Sequence, residues 1–219
     1  MTNCKHIDDY IASIRSGAVP ASKEMHHVCD YIERKLDNPD VYIDLGMIDK
    51  AIEMIEKYFK ITLFDWERFI IALVHCFYKS TDTLVFSEYL IMMGRGNGKN
   101  GFISGVAWYL TTPNHGVSGY NVDIIANSED QAKTSFEDIY QMLDDNWGKM
   151  KRFYYKTKEI ITSLKTRSYI KYNTSNAKTK DGKRSACLIF DEIHEYQNSD
   201  SMKVVRSGFG KRKHSREFY

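Results

Sequence analysis

A chain of 219 residues with 42% hydrophobic and 27% charged content suits one sizeable core, or a core plus a small accessory subdomain. Its net charge of +2 excludes a uniformly polybasic nucleic-acid binder, and no stretch approaches the ~18 uninterrupted apolar residues of a membrane span. The N-terminal "MTNCKHIDDY" lacks the apolar segment of a secretory signal, and Cys4, Cys29, Cys76 and Cys187 have no paired spacing, so they read as reduced thiols of an intracellular protein.

The first sixty residues read as helices. "IDDYIASIRSG" and "SKEMHHVCDYIERKL" carry apolar residues at three- and four-residue intervals and are split by Gly17 and Pro20. His26, His27 and Cys29 fall in the second of these, with no further ligand pair at finger spacing, and read as ordinary helix residues rather than a zinc site. "MIDKAIEMIEKYF" follows the turn at "DNPD", and "LFDWERFIIALVHCFY" (63–78) predicts a longer amphipathic helix. Residues 1–62 are therefore expected to form a helical, lid-like N-terminal subdomain, and 63–219 a separate core.

The pattern then changes to short apolar runs between helices. "LVFSEYLIMM" (84–93) predicts a buried strand, "GFISGVAWYLTT" a helix, and "NVDIIAN" (121–127) a second strand. Ser128 with Gln131 three residues on marks a capping box at the start of "SEDQAKTSFEDIYQMLDD". "KEIITSL" and "SYIKYNTS" alternate like a hairpin, and "ACLIF" (186–190) is another strand ending in Asp191-Glu192. Strands alternating with helices imply an α/β fold with a mainly parallel central sheet.

Charge is uneven along this half. Between Lys149 and Arg184 twelve Lys or Arg face two acids, Glu159 and Asp181, and they are interleaved with Phe153, Tyr154, Tyr155, Tyr169 and Tyr172. Such a stretch suits contact with a phosphate backbone, with Lys178, Lys180, Lys183 and Arg184 as DNA-contact candidates; a solvated hairpin face is the alternative.

"MMGRGNGKN" (92–100) carries the chemistry. A glycine-rich turn between a strand and a helix presents backbone N–H groups to phosphate oxygens, and the helix N-terminus adds favourable polarity. Gly94, Gly96 and Gly98 allow close approach, Asn97 lies among them, Lys99 would reach the β and γ oxygens, and Arg95 would add charge near the γ-phosphate. The usual phosphate-loop signature has Gly where Met93 stands and Ser or Thr where Asn100 stands. Met93 is tolerable because only backbone amides are needed there, whereas Asn100 alters the corner that would meet Mg²⁺, to which it could offer an amide oxygen. "CLIFDEIHEY" supplies the second nucleotide motif, a buried strand delivering Asp191 to Mg²⁺ and Glu192 to the attacking water. The plain alternative for this pair is a helix N-cap, but the two motifs together point to an ATP hydrolase.

"MGRGNGKNGFISGVAWYL", "NVDIIANSEDQAKTSFEDIY", "TKDGKRSACLIFDEIHEY" and "VRSGFGKRKHSREFY" together resemble the ATPase region of tailed-phage terminase large subunits, from about Asp65 onward. The resemblance implies a P-loop ATPase fold using ATP and Mg²⁺, a motor that drives double-stranded DNA into a capsid, a small terminase subunit and portal protein as partners, a homo-oligomeric ring, and the bacterial host cytoplasm as location. It assigns Lys99 and Arg95 to the loop's basic residues, Asp191 to the metal carboxylate and Glu192 to the catalytic carboxylate. The family usually has Trp-Gln as an adenine-contacting element; Trp66-Glu67 stands here, without the amide donor. The family's Thr-rich coupling motif and nuclease domain have no counterpart in the sequence, so no nuclease activity is expected, and the last 27 residues are expected to form a helix plus the basic turn "GKRKHSREFY", leaving the Asp191-Glu192 strand short of a neighbour. A helicase-like nucleic-acid ATPase and a non-hydrolysing nucleotide-binding fragment are the competing readings.

Overall fold

The computed structural model describes residues 2–94, 96–174, 185–195, 202, 203, 206 and 209–219. It divides into two compact units, Met1–Glu56 with Ile61–Phe86, and Lys57–Lys60 with Ser87–Tyr219.

The first unit is built on helices α1 (Lys5–Arg15), α2 (Lys23–Leu36), α3 (Leu45–Phe59, ending in the second unit) and α4 (Asp65–Val74). Ile7, Ile11 and Ile14 form the buried stripe of α1, the spacing that an amphipathic helix requires. Tyr10 of α1 meets Phe69 of α4 with ring centroids 4.8 Å apart. That packing places α4 in the first compact unit, which runs on to Phe86. The predicted helix over 63–78 also stops early, at Val74. Cys76–Tyr78 is strand β2 instead, paired antiparallel with β1 (Val41–Ile43). Glu67 is 3% exposed, and its carboxylate accepts the Phe64 N–H at 2.7 Å, capping the start of α4.

The second unit holds a seven-stranded sheet in the order β3-β9-β8-β4-β7-β6-β5. These are β3 (Glu88–Tyr89), β4 (Asn121–Ala126), β5 (Tyr154–Lys156), β6 (Ile160–Ser163), β7 (Ser168–Thr174), β8 (Ser185–Phe190) and β9 (Arg216–Phe218). The run from β3 to β7 is parallel throughout, and β7, β6 and β5 continue it as an antiparallel meander. Every residue of β8 is buried, as a central parallel strand covered on both faces must be. Helices α5 (Lys99–Leu110), α6 (Glu129–Asp145) and α7 (Trp147–Met150) complete the unit. Residues 102–110 of α5 are all buried, which explains a helix apolar on every side. The expected capping box opens α6: Ser128 Oγ accepts the Gln131 N–H and Gln131 Oε1 accepts the Ser128 N–H, both at 3.3 Å.

Two sequence expectations are corrected here. The predicted strand over 84–93 is regular only at Glu88–Tyr89, because Val85 and Phe86 are buried in the first unit. The C-terminal "REF" is not a basic turn but strand β9, inserted between β3 and β8. The strand carrying the acidic pair therefore has a partner on each side, β4 and β9. The four cysteines are free and buried, and no helix among the described residues is long and apolar enough to cross a membrane.

Candidate nucleotide site

The glycine loop leaves β3 and ends at α5. Gly96 and Gly98 take φ of +81° and +83°, left-handed values that a side chain would strain, and Gly98 caps α5 with no side chain of its own. The first N–H groups of α5 are thereby presented without a competing side-chain cap. Asn97 Nδ2 donates to the Gly94 carbonyl at 3.0 Å, which folds the loop back on itself. Arg95, expected in the loop, lies outside the described residues.

At the C-terminal end of β8 the chain delivers the acidic pair. The Asp191 N–H donates to the Ile125 carbonyl of β4 at 2.8 Å, and Asp191 Oδ1 accepts the Glu192 N–H at 3.1 Å. Glu192 has φ +49°, a left-handed conformation that costs a non-glycine residue roughly 1–3 kcal/mol and occurs mainly where the surroundings impose it. Its carboxylate also lies 3.4 Å from His194 Nδ1.

Loop and acids meet. Lys99 Nζ lies 2.9 Å from Asp191 Oδ1 and 3.1 Å from Glu192 Oε1, with side-chain exposures of 23%, 13% and 37% in that order. Burial works to lower the Lys99 pKa, but the hydrogen bonds to Asp191 and Glu192 outweigh it and the net shift is upward. Lys99 is thus a cation held between two carboxylates from far along the chain, Glu192 standing 93 positions away. Asn100, the next residue, lines the same small cavity as Lys99, Asp191, Phe190, Ile91 and Tyr219. Its carbonyl accepts Ser104 Oγ at 2.7 Å, and that hydroxyl also reaches Asp138 Oδ2 at 3.1 Å. An ammonium, helix-start amides, two carboxylates and an amide side chain form a donor set that fits a magnesium-bound polyphosphate, since the oxygens are hard ligands and the amides suit an anion. Among the described residues no group of three or more His, Cys, Asp or Glu gathers for a metal.

Trp66 and Glu67 belong to the first unit, where Glu67 is spent on capping α4. Lys178, Lys180, Lys183 and Arg184 lie outside the described residues. The described part of the basic stretch presents exposed Lys151, Arg152, Lys158, Lys165 and Arg167 beside exposed Phe153, Tyr155 and Leu164. Sequence reasoning missed Tyr219, which lines the site's cavity. The only hint was the apolar-aromatic end of "REFY" after two charged residues, which a basic surface turn would share.

The sequence model described as "Terminase large subunit, ATPase domain" matches residues 65–218. The crystal structure of the HK97 bacteriophage large terminase is similar, with a TM-score of 0.67 and 19% identity over 78% of this chain and 36% of that chain. An ATPase-domain variant of the Thermus phage P74-26 large terminase gives a TM-score of 0.38 and 17% identity over 56% of this chain and 53% of that one. Comparison with curated proteins gives no match. The chain spans about a third of the length of the HK97 terminase (36%), and the likeness at that identity speaks for the fold, a P-loop α/β sheet. With more than half of its residues matched by the family's sequence model, the chain belongs to the terminase large subunit ATPase-domain family.

Proposed function

We propose that this chain is an ATP-hydrolysing motor region that serves to drive double-stranded DNA into a viral capsid. The observation that carries the reading is the meeting of Lys99 with Asp191 and Glu192 across the edge where an open parallel sheet binds ligands. In this reading the loop 94–100 cradles the phosphates, with Lys99 on the β and γ oxygens and Arg95 near the γ-phosphate. Asp191 and Asn100 would hold Mg²⁺. When bound, that ion neutralises charge on the phosphate oxygens.

The polyphosphate competes with the two carboxylates for Lys99, so nucleotide entry frees Asp191 and Glu192 for their own tasks. A water oxygen attacks the γ-phosphorus, the bond from that phosphorus to the β–γ bridging oxygen breaks, and its electron pair leaves with ADP. Glu192 accepts the water's proton. The assignment of Trp66 and Glu67 to adenine rests on the family resemblance alone, as do a small terminase subunit, a portal protein and a ring of copies as partners. Phosphate release measured with magnesium and ATP, with and without duplex DNA, tests the reading. Turnover that rises with DNA is expected, and no release under either condition would overturn it.

A further inference from the structure

The end of β9 connects the two halves of the site in a way that the hydrolytic residues do not explain. Alternation along the strand sends Glu217 and Tyr219 to one side of the sheet and Arg216 and Phe218 to the other. Glu217 is 3% exposed, and a carboxylate so buried is costly unless it is paired. Arg206 pairs with it in bidentate fashion, Nε to Oε1 at 2.8 Å and Nη2 to Oε2 at 2.5 Å. The Tyr219 hydroxyl donates to the same Oε2 at 2.8 Å and accepts from Arg206 Nη2, so both charges fix the phenol.

The fixed ring lies flat on Phe190, with centroids 5.4 Å apart and planes inclined by 6°. Phe190 is the last residue of β8, directly before Asp191 and Glu192. The backbone of the same tyrosine clamps the other motif: its N–H donates to the Tyr89 carbonyl at 2.8 Å, and its carbonyl accepts the Ile91 N–H at 2.9 Å. Tyr89 and Ile91 lead into the glycine loop. Tyr219 therefore touches the acidic pair's strand through its side chain and the lead into the phosphate loop through its main chain. Apolar packing alone would need neither the hydroxyl nor the half-exposed Arg206 that pairs with buried Glu217 and holds it.

We propose that Arg206, Glu217 and Tyr219 are positioning residues that set the acidic pair for turnover while leaving nucleotide binding to the loop. The inference rests on the ATPase reading above.

Replacing the side chain of Tyr219 should disturb Asp191 and Glu192 through Phe190 but leave the main-chain clamp on the loop. Steady-state ATP hydrolysis and calorimetric ATP binding on the full chain separate the two. Tyr219→Ala should lower kcat at least about tenfold with KM and Kd for ATP changed less than about threefold. Tyr219→Phe, which keeps the stacked ring but loses the hydroxyl's hold, should recover part of that loss, and Arg206→Ala, which leaves the hydroxyl on Glu217, should likewise lose less than Tyr219→Ala. Arg206→Ala combined with Tyr219→Ala should be no slower than Tyr219→Ala alone, because both act along one path. If alanine does not fold by circular dichroism, Tyr219→Leu keeps the bulk without the flat ring and carries the same expectation. Unchanged kcat, equal losses in kcat and binding, or a phenylalanine variant as poor as alanine would overturn the proposal. A wild-type chain that neither binds nor hydrolyses ATP would instead overturn the ATPase reading, and this inference with it.

Discussion

The phosphate-loop corner and the cationic hairpin are both rich in positive charge, yet they use it differently. In the corner, Lys99 is three-quarters buried and held by two carboxylates, in a loop whose left-handed glycines fix the backbone. In the hairpin, Lys151, Arg152, Lys158, Lys165 and Arg167 stand exposed beside Phe153 and Tyr155. Lys156 is the exception there. Its side chain is 7% exposed, paired with Asp144 at 2.6 Å, with Nζ 3.4 Å from the centre of the Tyr140 ring. A desolvated, paired cation acts at one point and is hard to replace. Exposed cations act as a summed field that salt screens and neighbours can share.

The contrast breaks most sharply at Lys99. Lys99→Ala should weaken ATP binding at least about 100-fold, the order expected when a charged interaction worth ~3 kcal/mol is removed, with the circular dichroism spectrum nearly unchanged. Calorimetric affinity equal to wild type would remove Lys99 from the site. Within the hairpin, Lys156→Ala should cost on the order of 2 kcal/mol of stability, because packing, pairing and the ring interaction all go with the side chain, and leave duplex-DNA binding unaltered. Replacing Lys151, Arg152, Lys158 and Lys165 together should do the reverse. Stability should hold within about 0.5 kcal/mol, while the log–log salt slope of DNA binding flattens by about one unit for each phosphate no longer neutralised. A slope identical to wild type would mean that these charges only face solvent.

Smaller effects sharpen the corner itself. If Asn100 serves the metal poorly, Asn100→Thr should tighten magnesium-ATP binding by at most ~1–2 kcal/mol; a magnesium titration showing neutral or weaker binding would mean that its amide oxygen serves well. Smallest is Glu67→Gln. Burial pushes the Glu67 carboxyl up, against the opposing Phe64 N–H and Arg68. A raised folded pKa means that the stability contribution is full below the ordinary value of 4.5 and is lost as pH rises through the raised value. Glutamine accepts the same Phe64 N–H without charge, so it should raise Tm at neutral pH and give no gain below pH 4.5. A gain independent of pH would contradict that account.

How much of this was legible in the sequence depended on how local each signal is. β4, β8 and the Ser128–Gln131 cap are set by residues close together in the chain, and they stand where the pattern placed them. Lys99, Asp191 and Glu192 were legible because each sits at an element boundary that its neighbours announce. β1, β2 and β9 were not, because three-residue strands are defined by the partner they pair with rather than by periodicity. Cys76–Tyr78 extends the apolar pattern of α4 and looks helical until Val41–Ile43 is set beside it. Arg216 and Glu217 look like surface charge, yet both are buried, Glu217 because Arg206 reaches it from ten residues upstream of Arg216. Tyr219 escaped for the same reason: its role lies in Phe190, Tyr89 and Ile91, none of them near in sequence.

The central claim is that the loop and the acidic pair form one hydrolytic site in which binding and proton acceptance belong to different residues. Phosphate release and calorimetric ATP binding on wild type and Glu192→Gln, measured side by side with magnesium, test it most directly. The account predicts that both proteins bind ATP with affinities within about threefold, while the variant turns over at least about 100-fold more slowly, the loss typical of a missing general base. Equal turnover in the two proteins would contradict it.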